Sequence, residues 1–306
     1  VEELEAALCL MKQAKNLGSV MKLTISAEAS IFIEKRFKEI ENTDYRDFNI
    51  EAIYQNLKNY IPVLLLLTKK YTSVVANPPY MGQKNMNSDL KNYVNANYPR
   101  SKVDLFAVFM ESTLAMNIDN GLMGMINQHS WMFLLSYEKL RRHLLDRYGI
   151  LNMLHLGPRT FEELSGEVVQ STAFVLKNGQ DIEKANYYRL VEYKNVHGKK
   201  DHFLKRNNEF AKIPQTNFFK IPGSPIAYWS SEIFVDSFKN EKLGSTSISS
   251  PGVRTGRDSI FIKFWHEVNF NKININAKGA DDINSSSILW FPITRGGTFR
   301  KWYGNF

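Results

Sequence analysis

The sequence predicts an α/β fold: a helical N-terminal segment, then strands alternating with helices about a parallel or mixed sheet, then a β-rich C-terminal segment. Three observations lead there. Apolar residues recur at helical spacing early on, at Leu4, Ala7, Leu8 and Met11 and again at Ile31, Ile33 and Phe37. After residue 70 the period changes to short β-branched runs separated by amphipathic stretches. From about residue 223, turns rich in Gly, Ser and Thr and several tryptophans replace that alternation. With 306 residues the chain can bury a substantial core in more than one unit. The boundaries expected are a helical segment at 1–70, an α/β part at 71–222 and a further unit at 223–306.

In order, the first helical stretch covers 1–23 and is interrupted by Gly18. Ser26 is placed to cap the next helix, with Glu28 in its first turn. A third stretch runs from 50 to 68, with Pro62 expected to kink or end it. Tyr71–Ala76 is a strand, Val103–Met116 a helix, Gly121–Ile126 a strand, Glu138–Tyr148 a basic amphipathic helix, and Ile150–Leu156 and Val168–Leu176 two more strands. Residues 177–222 turn polar, and Pro214, Pro222, Gly223 and Pro225 punctuate their end.

Hydrophobic residues make up 43% of the chain and the formal net charge is +8. The first value fits a globular protein, and the second favours a polyanionic partner. The single cysteine, Cys9, excludes an internal disulfide framework and suits a reducing cytoplasm; its apolar surroundings read as core. The longest apolar run, 61–67, is too short to span a bilayer, so no membrane partner is expected. No metal is expected either, because the six histidines are scattered at spacings that make no ligand set. Structural or surface roles are the default for each of them.

The chemistry lies where the first strand runs into Asn77-Pro78-Pro79-Tyr80. Two prolines cannot continue a ladder, so the strand stops there. Ligands of open α/β sheets bind outside the carboxyl ends of strands, which is where Asn77 falls. An exocyclic aromatic amine is a poor nucleophile because its lone pair is delocalised into the ring. An Asn side-chain oxygen and a neighbouring backbone carbonyl can each accept one of its hydrogens, aim the lone pair and stabilise the charge that develops on nitrogen. Tyr80 offers a face for stacking. Four specified residues arise by accident in a chain of this length on the order of once in a thousand cases.

With these neighbours, Val74-Val75-Ala76-Asn77-Pro78-Pro79-Tyr80 resembles motif IV of the gamma-class adenine-N6 DNA methyltransferases. The order that follows is similar too: Asp104-Leu105-Phe106 with Phe109, the strand at 121–126, Leu156-Gly157 with Phe161, and the strand Ser171–Leu176. More narrowly, the chain resembles the PglX-type methyltransferases of BREX phage-defence systems. That likeness is carried by Ala14–Ser19, Gly252–Asp258, Phe264–Val268 and Gly296–Asn305. The resemblance implies a partial Rossmann-like methyltransferase sheet, followed by the start of a β-rich target-recognition domain.

It also implies roles. Asn77, Pro78, Pro79 and Tyr80 would be catalytic and orient a flipped adenine, with Tyr80 and Phe161 stacking on it. Asn77 and Phe109 would touch the cofactor, S-adenosylmethionine. Residues 1–76 hold a single glycine, Gly18, and no Gly-x-Gly. The main cofactor loop is therefore expected to lie outside this chain, and weak or no cofactor binding by the chain alone is expected. Arg254, Arg257, Arg295, Arg300 and Lys301, set on glycine-flanked turns, would contact double-stranded DNA, the expected partner alongside other defence-system subunits. Lys139, Arg141, Arg142 and Arg147 form a basic helix read either as a phosphate contact or as a solvated face.

Other readings stay open. The same motif serves enzymes that methylate a glutamine amide or guanine N2 in RNA, since those amines need the same two acceptors. A non-catalytic DNA-binding subunit of a defence complex is a third. The basic segment after residue 223 favours DNA.

Overall fold

The computed structural model describes residues 2–43, 47–161, 169–247, 255–277 and 288–293. The chain divides into two compact units, Val1–Glu241 and Lys242–Phe306.

The first unit opens with helices α1 (Glu2–Met11), α2 (Ala14–Leu17), α3 (Ala27–Glu41), α4 (Phe48–Leu57) and α5 (Ile61–Thr68). Ser26 caps α3 as its sequence position predicts, its side chain accepting from the Ala29 N–H. The stretch at 50–68 is two helices. Pro62 sits in the first turn of α5, where a missing N–H costs nothing, so it starts a helix instead of ending one. Cys9 corrects another expectation: it is exposed, because Ala7 and Met11, four residues apart, take the buried face of α1.

Strand β1 (Tyr71–Ala76) follows, then α6 (Ser88–Asn97), α7 (Leu105–Ala115), β2 (Asn117–Gln128), α8 (Glu138–Arg147), β3 (Gly149–Gly157), β4 (Ser171–Lys177), β5 (Lys184–Arg189), α9 (Val196–Lys205), β6 (Glu209–Pro214) and α10 (Glu232–Ser237). The six strands form one mixed sheet in the order β1-β2-β4-β3-β5-β6. Strand β1 runs parallel to β2 and β3 to β5, while β4 is antiparallel to both β2 and β3. Consequently β1, β2, β3 and β5 all end at the same edge of the sheet, and β4 begins there. Between Tyr71 and Ser73 the β1–β2 register shifts. Gly121 permits the shift, since a Cβ there would lie 2.9 Å from the Ile118 carbonyl oxygen and 3.1 Å from that of Tyr71.

Helix α7 is buried nearly all round and joins two cores. Phe106, Met110 and Leu114 pack with Met123, Met125, Met153 and Phe174 of the sheet and with Leu140 and Leu144 of α8. Leu105 and Val108 pack instead with Met11, Leu17, Leu64, Leu90 and Val94 of the helical segment. Strands β5 and β6 fall in the polar stretch 177–222, where no strand was expected. The signal in β5 is a short alternation: Ala185 and Tyr187 are buried, and Lys184 and Asn186 are not.

The first unit also runs on past the boundary expected at 222/223. Ile226, Tyr228 and Val235 are buried, and Ile226 N–H bonds to the Met132 carbonyl at 2.9 Å.

In the second unit the described residues contain helices α11 (Leu243–Thr246) and α12 (Asp258–Phe261) and an isolated parallel bridge between Ile273 and Trp290. Among the described residues of 223–306 there is no strand, which corrects the β-rich expectation for them. Apolar side chains that a sheet would bury stay in water: Phe264, Trp265 and Ile275 are all more than half exposed. Among the described residues, no helix is long and apolar enough to cross a membrane.

Candidate functional site

Asn77 leaves β1 at its carboxyl end with its side chain exposed, and Pro78 behind it is buried. The prolines stop the ladder, and the chain then turns along the start of α7. Gly82 bridges Asp104, Leu105 N–H bonds to the Met81 carbonyl at 3.0 Å, and Gln83 N–H to the Val103 carbonyl at 3.0 Å. Asp104 is the N-cap of α7, and its Oδ1 accepts both the Phe106 N–H and, at 3.0 Å, the Met81 N–H. Burial raises the Asp104 pKa above the usual carboxylate value, against the lowering effect of these backbone donors.

Tyr80 is half-buried, with its ring edge-on to Phe106 at 6.1 Å between centroids. Its hydroxyl is buried and unpartnered, as are those of Ser130 and Ser171. Burial raises the Tyr80 pKa; Ser171 lies close enough to oppose that shift, but the two hydroxyls do not meet hydrogen-bond geometry. With its polar tip held inside, the rest of the Tyr80 ring is what the residue presents outward.

The shared edge of the sheet brings further residues to this end. Gln128 closes β2, and Gly157 closes β3, with Phe161 four residues on and partly buried. Ser171, opening β4, pairs with both Gln128 and Gly157, so it links the two strand ends. Phe109 lies on α7 between the two cores and keeps part of its surface open.

Two features at this edge escaped the sequence reading. His129 Nδ1 and His155 Nε2 lie 2.7 Å apart, and His155 Nδ1 lies 3.1 Å from the Tyr228 hydroxyl. One imidazole must donate to the other, so burial as a neutral pair is favoured. Burial, with the charges of His129, Arg189 and Lys199, takes the His155 pKa down to about 3. A separation of 26 positions hides the pair in the sequence; the order β2-β4-β3 brings the two histidines together across the start of β4. Around the pair stand Phe133 and Trp229, and the Arg189 guanidinium lies 4.7 Å from the Trp229 ring centroid.

Arg141 is the second feature. It faces inward, 1% exposed, and corrects the reading of its helix as a uniform basic face. Its guanidinium donates to the carbonyls of Trp131, Leu134, Gly223 and Ser224. Lys139, Arg142 and Arg147 remain exposed, Arg142 beside Glu138 at 3.8 Å.

Of the residues expected to meet DNA, Arg257 is exposed at the start of α12. Arg254, Arg295, Arg300 and Lys301 lie outside the described residues. Among the described residues, no group of three or more His, Cys, Asp or Glu could hold a metal ion.

A family model described as Eco57I restriction-modification methylase matches residues 7–161, a span that contains Asn77–Tyr80 and ends at Phe161. The chain is 42% identical over 303 residues to the adenine-specific methyltransferase BrxX of Escherichia coli O9:H4 (strain HS), covering 97% of this chain and 24% of that relative. It is 40% identical over 306 residues to the adenine-specific methyltransferase PglX of Lacticaseibacillus casei (strain Zhang), covering 95% of this chain and 25% of that relative. The chain thus spans about a quarter of the length of these curated relatives. Among solved structures, a type I restriction-modification methyltransferase subunit from Streptococcus thermophilus aligns with a TM-score of 0.34 and 16% identity, over 45% of this chain and 32% of that one, too slight a likeness to argue from. The family match over half the sequence, centred on the motif at the end of β1, shows that the chain belongs to the Eco57I restriction-modification methylases.

Proposed function

We propose that this chain is the target-base part of a site-specific DNA adenine-N6 methyltransferase acting in phage defence or restriction-modification. The observation that carries the proposal is the placement of Asn77–Tyr80: an exposed amide at the carboxyl end of a parallel strand, followed by a rigid turn tied to α7. In this reading the Asn77 side-chain oxygen and the Pro78 carbonyl accept the two N6 hydrogens of an adenine rotated out of the duplex. Pro79 keeps the turn stiff. Tyr80 covers one face of the base and Phe161, from the end of β3, the other. Pre-positioned acceptors need no reorganisation as charge builds on N6, which is the main source of rate here.

S-adenosylmethionine, when bound, supplies an electrophilic methyl group that needs no strong base for its acceptance. The residues present fit part of that cofactor. Asn77 and the open surface of Phe109 can wall its site, whereas residues 1–76 hold a single glycine and no loop of the Gly-x-Gly kind. Double-stranded DNA is the proposed partner, contacted by Arg257 and by Arg254, Arg295, Arg300 and Lys301, with other defence-system subunits beside it. The proposed division is a catalytic part from residue 71 to the end of the first unit at Glu241, and the beginning of target recognition after it.

Radiolabelled S-adenosylmethionine, offered to the natural protein with DNA, RNA and a release factor, tests the proposal. Label is expected in DNA alone, at N6 of adenine, and lost in Asn77→Ala. Label in RNA or release factor would move the substrate to one of the alternatives, and DNA label surviving Asn77→Ala would sink the mechanism.

A further inference from the structure

Lys199, on α9, is 5% exposed, yet its ammonium has no carboxylate partner among the described residues. It donates instead to the carbonyls of Leu156 and, at 2.5 Å, Pro158. Burial lowers its pKa, so placing the charge there costs free energy. The turn it grips is unusual. Gly157 has φ +68 and Arg159 φ +55, so two left-handed residues alternate with ordinary ones. Carbonyls two residues apart therefore converge on one point, where their oxygens repel unless a cation sits between them. A compact ammonium with three donors suits that point. The intervening Gly157 carbonyl accepts from the Thr160 hydroxyl at 3.0 Å. A Cβ on Gly157 would lie 2.8 Å from the Val191 Cα, so the turn is packed as well as bonded. Phe161 is the next residue after this turn.

We propose that Lys199 is a positioning residue, whose ammonium sets the 156–160 turn and thereby delivers Phe161 to the flipped base. The proposal rests on the reading of Phe161 as a stacking wall. It extends that reading to a distant residue on another element, which makes no contact with substrate itself. An apolar side chain could fill the same space without the desolvation cost, but it would leave the two converging carbonyls unpaired, so the charge serves the geometry of the turn.

The test compares Lys199→Met, Lys199→Arg, Phe161→Ala and the Lys199→Met/Phe161→Ala double variant of the natural protein, in methyl transfer to unmodified plasmid DNA. Lys199→Met is expected to lower kcat about 10- to 100-fold, the scale of a displaced positioning group, with KM for DNA unchanged. The double variant is expected to be no slower than Phe161→Ala, because both changes remove one function. Hydrogen exchange of the 156–161 amides should speed up in Lys199→Met while β2 and α7 keep their protection. Additive losses, an unchanged kcat, or an effect on KM alone would each overturn the proposal. If exchange accelerates everywhere, Lys199→Arg decides: recovery of kcat supports the clamp and its absence overturns it. Full activity of Phe161→Ala would overturn the delivery of Phe161 together with its stacking role, whereas loss of DNA label in Asn77→Ala would leave the proposed methyl transfer standing.

Discussion

Asp104 Oδ1 accepts the Met81 backbone N–H at 3.0 Å, so the residue that caps α7 also holds the chain directly behind Asn77–Tyr80. One carboxylate thereby couples helix geometry to the position of the Asn77–Tyr80 turn.

Removing that carboxylate should cost both stability and rate. Asp104→Ala is expected to lose about 1–3 kcal/mol in urea unfolding, from a lost cap and an unsatisfied Met81 N–H. Asp104→Asn keeps an acceptor oxygen and is expected to lose less. Equal stability of wild type and Asp104→Ala would contradict the coupling.

The Tyr80 hydroxyl is buried without a partner. Tyr80→Phe is therefore expected to be neutral or stabilising, by less than about 1 kcal/mol, and to retain methyl transfer. Tyr80→Ala should lose activity with the stacking face. A clear fall in the thermal midpoint of Tyr80→Phe would show that the hydroxyl is bonded after all.

Arg141 carries the opposite expectation. Four carbonyls share its guanidinium, and two of them belong to Gly223 and Ser224, both at positive φ. Arg141→Met is expected to cost about 3–5 kcal/mol in chemical unfolding, because buried acceptors lose their donors together. A loss near that of a surface arginine would refute the clamp.

The neutral imidazole pair predicts acid sensitivity. The folded His155 pKa of about 3 lies below its ordinary 6.5, so the unfolded chain binds more protons between those values. Stability from this residue is then full above about pH 6.5 and falls as the pH drops toward 3, with a limiting slope of about 1.4 kcal/mol for each pH step of one. The raised pKa of Asp104 acts in the opposite sense at the acid end. Unfolding free energies of wild type and His155→Gln, measured from about pH 7 down to about pH 4 within that window, isolate the effect. The wild type should show the steeper fall, and parallel curves would dismiss it.

Much of the site was legible because its signals are local. A β-branched run ending in two prolines can only be a strand that stops, and that placed Asn77 and Tyr80 without any structure. The same locality located the Ser26 cap, the apolar α7 and the β2, β3 and β4 strands. Where the sequence reading failed, the deciding partner was distant. Cys9 was read as core from its neighbours, yet the face of α1 is chosen by what packs on Ala7 and Met11. Strands β5 and β6 are polar and become strands through pairing with β3 and with each other.

The sequence by itself determined the α/β class and the position of the Asn77–Tyr80 turn at the end of the first strand, since periodicity and proline stereochemistry act within a few residues. Only the tertiary structure decided which distant side chains meet one another at that edge of the sheet. Four strands ending at one edge bring His129 to His155, and Lys199 to the turn before Phe161. The burial of Arg141 against 223–224 turned an expected domain boundary into part of the first unit. Such contacts depend on strand order and on the desolvation of charges, neither of which a single stretch of sequence encodes.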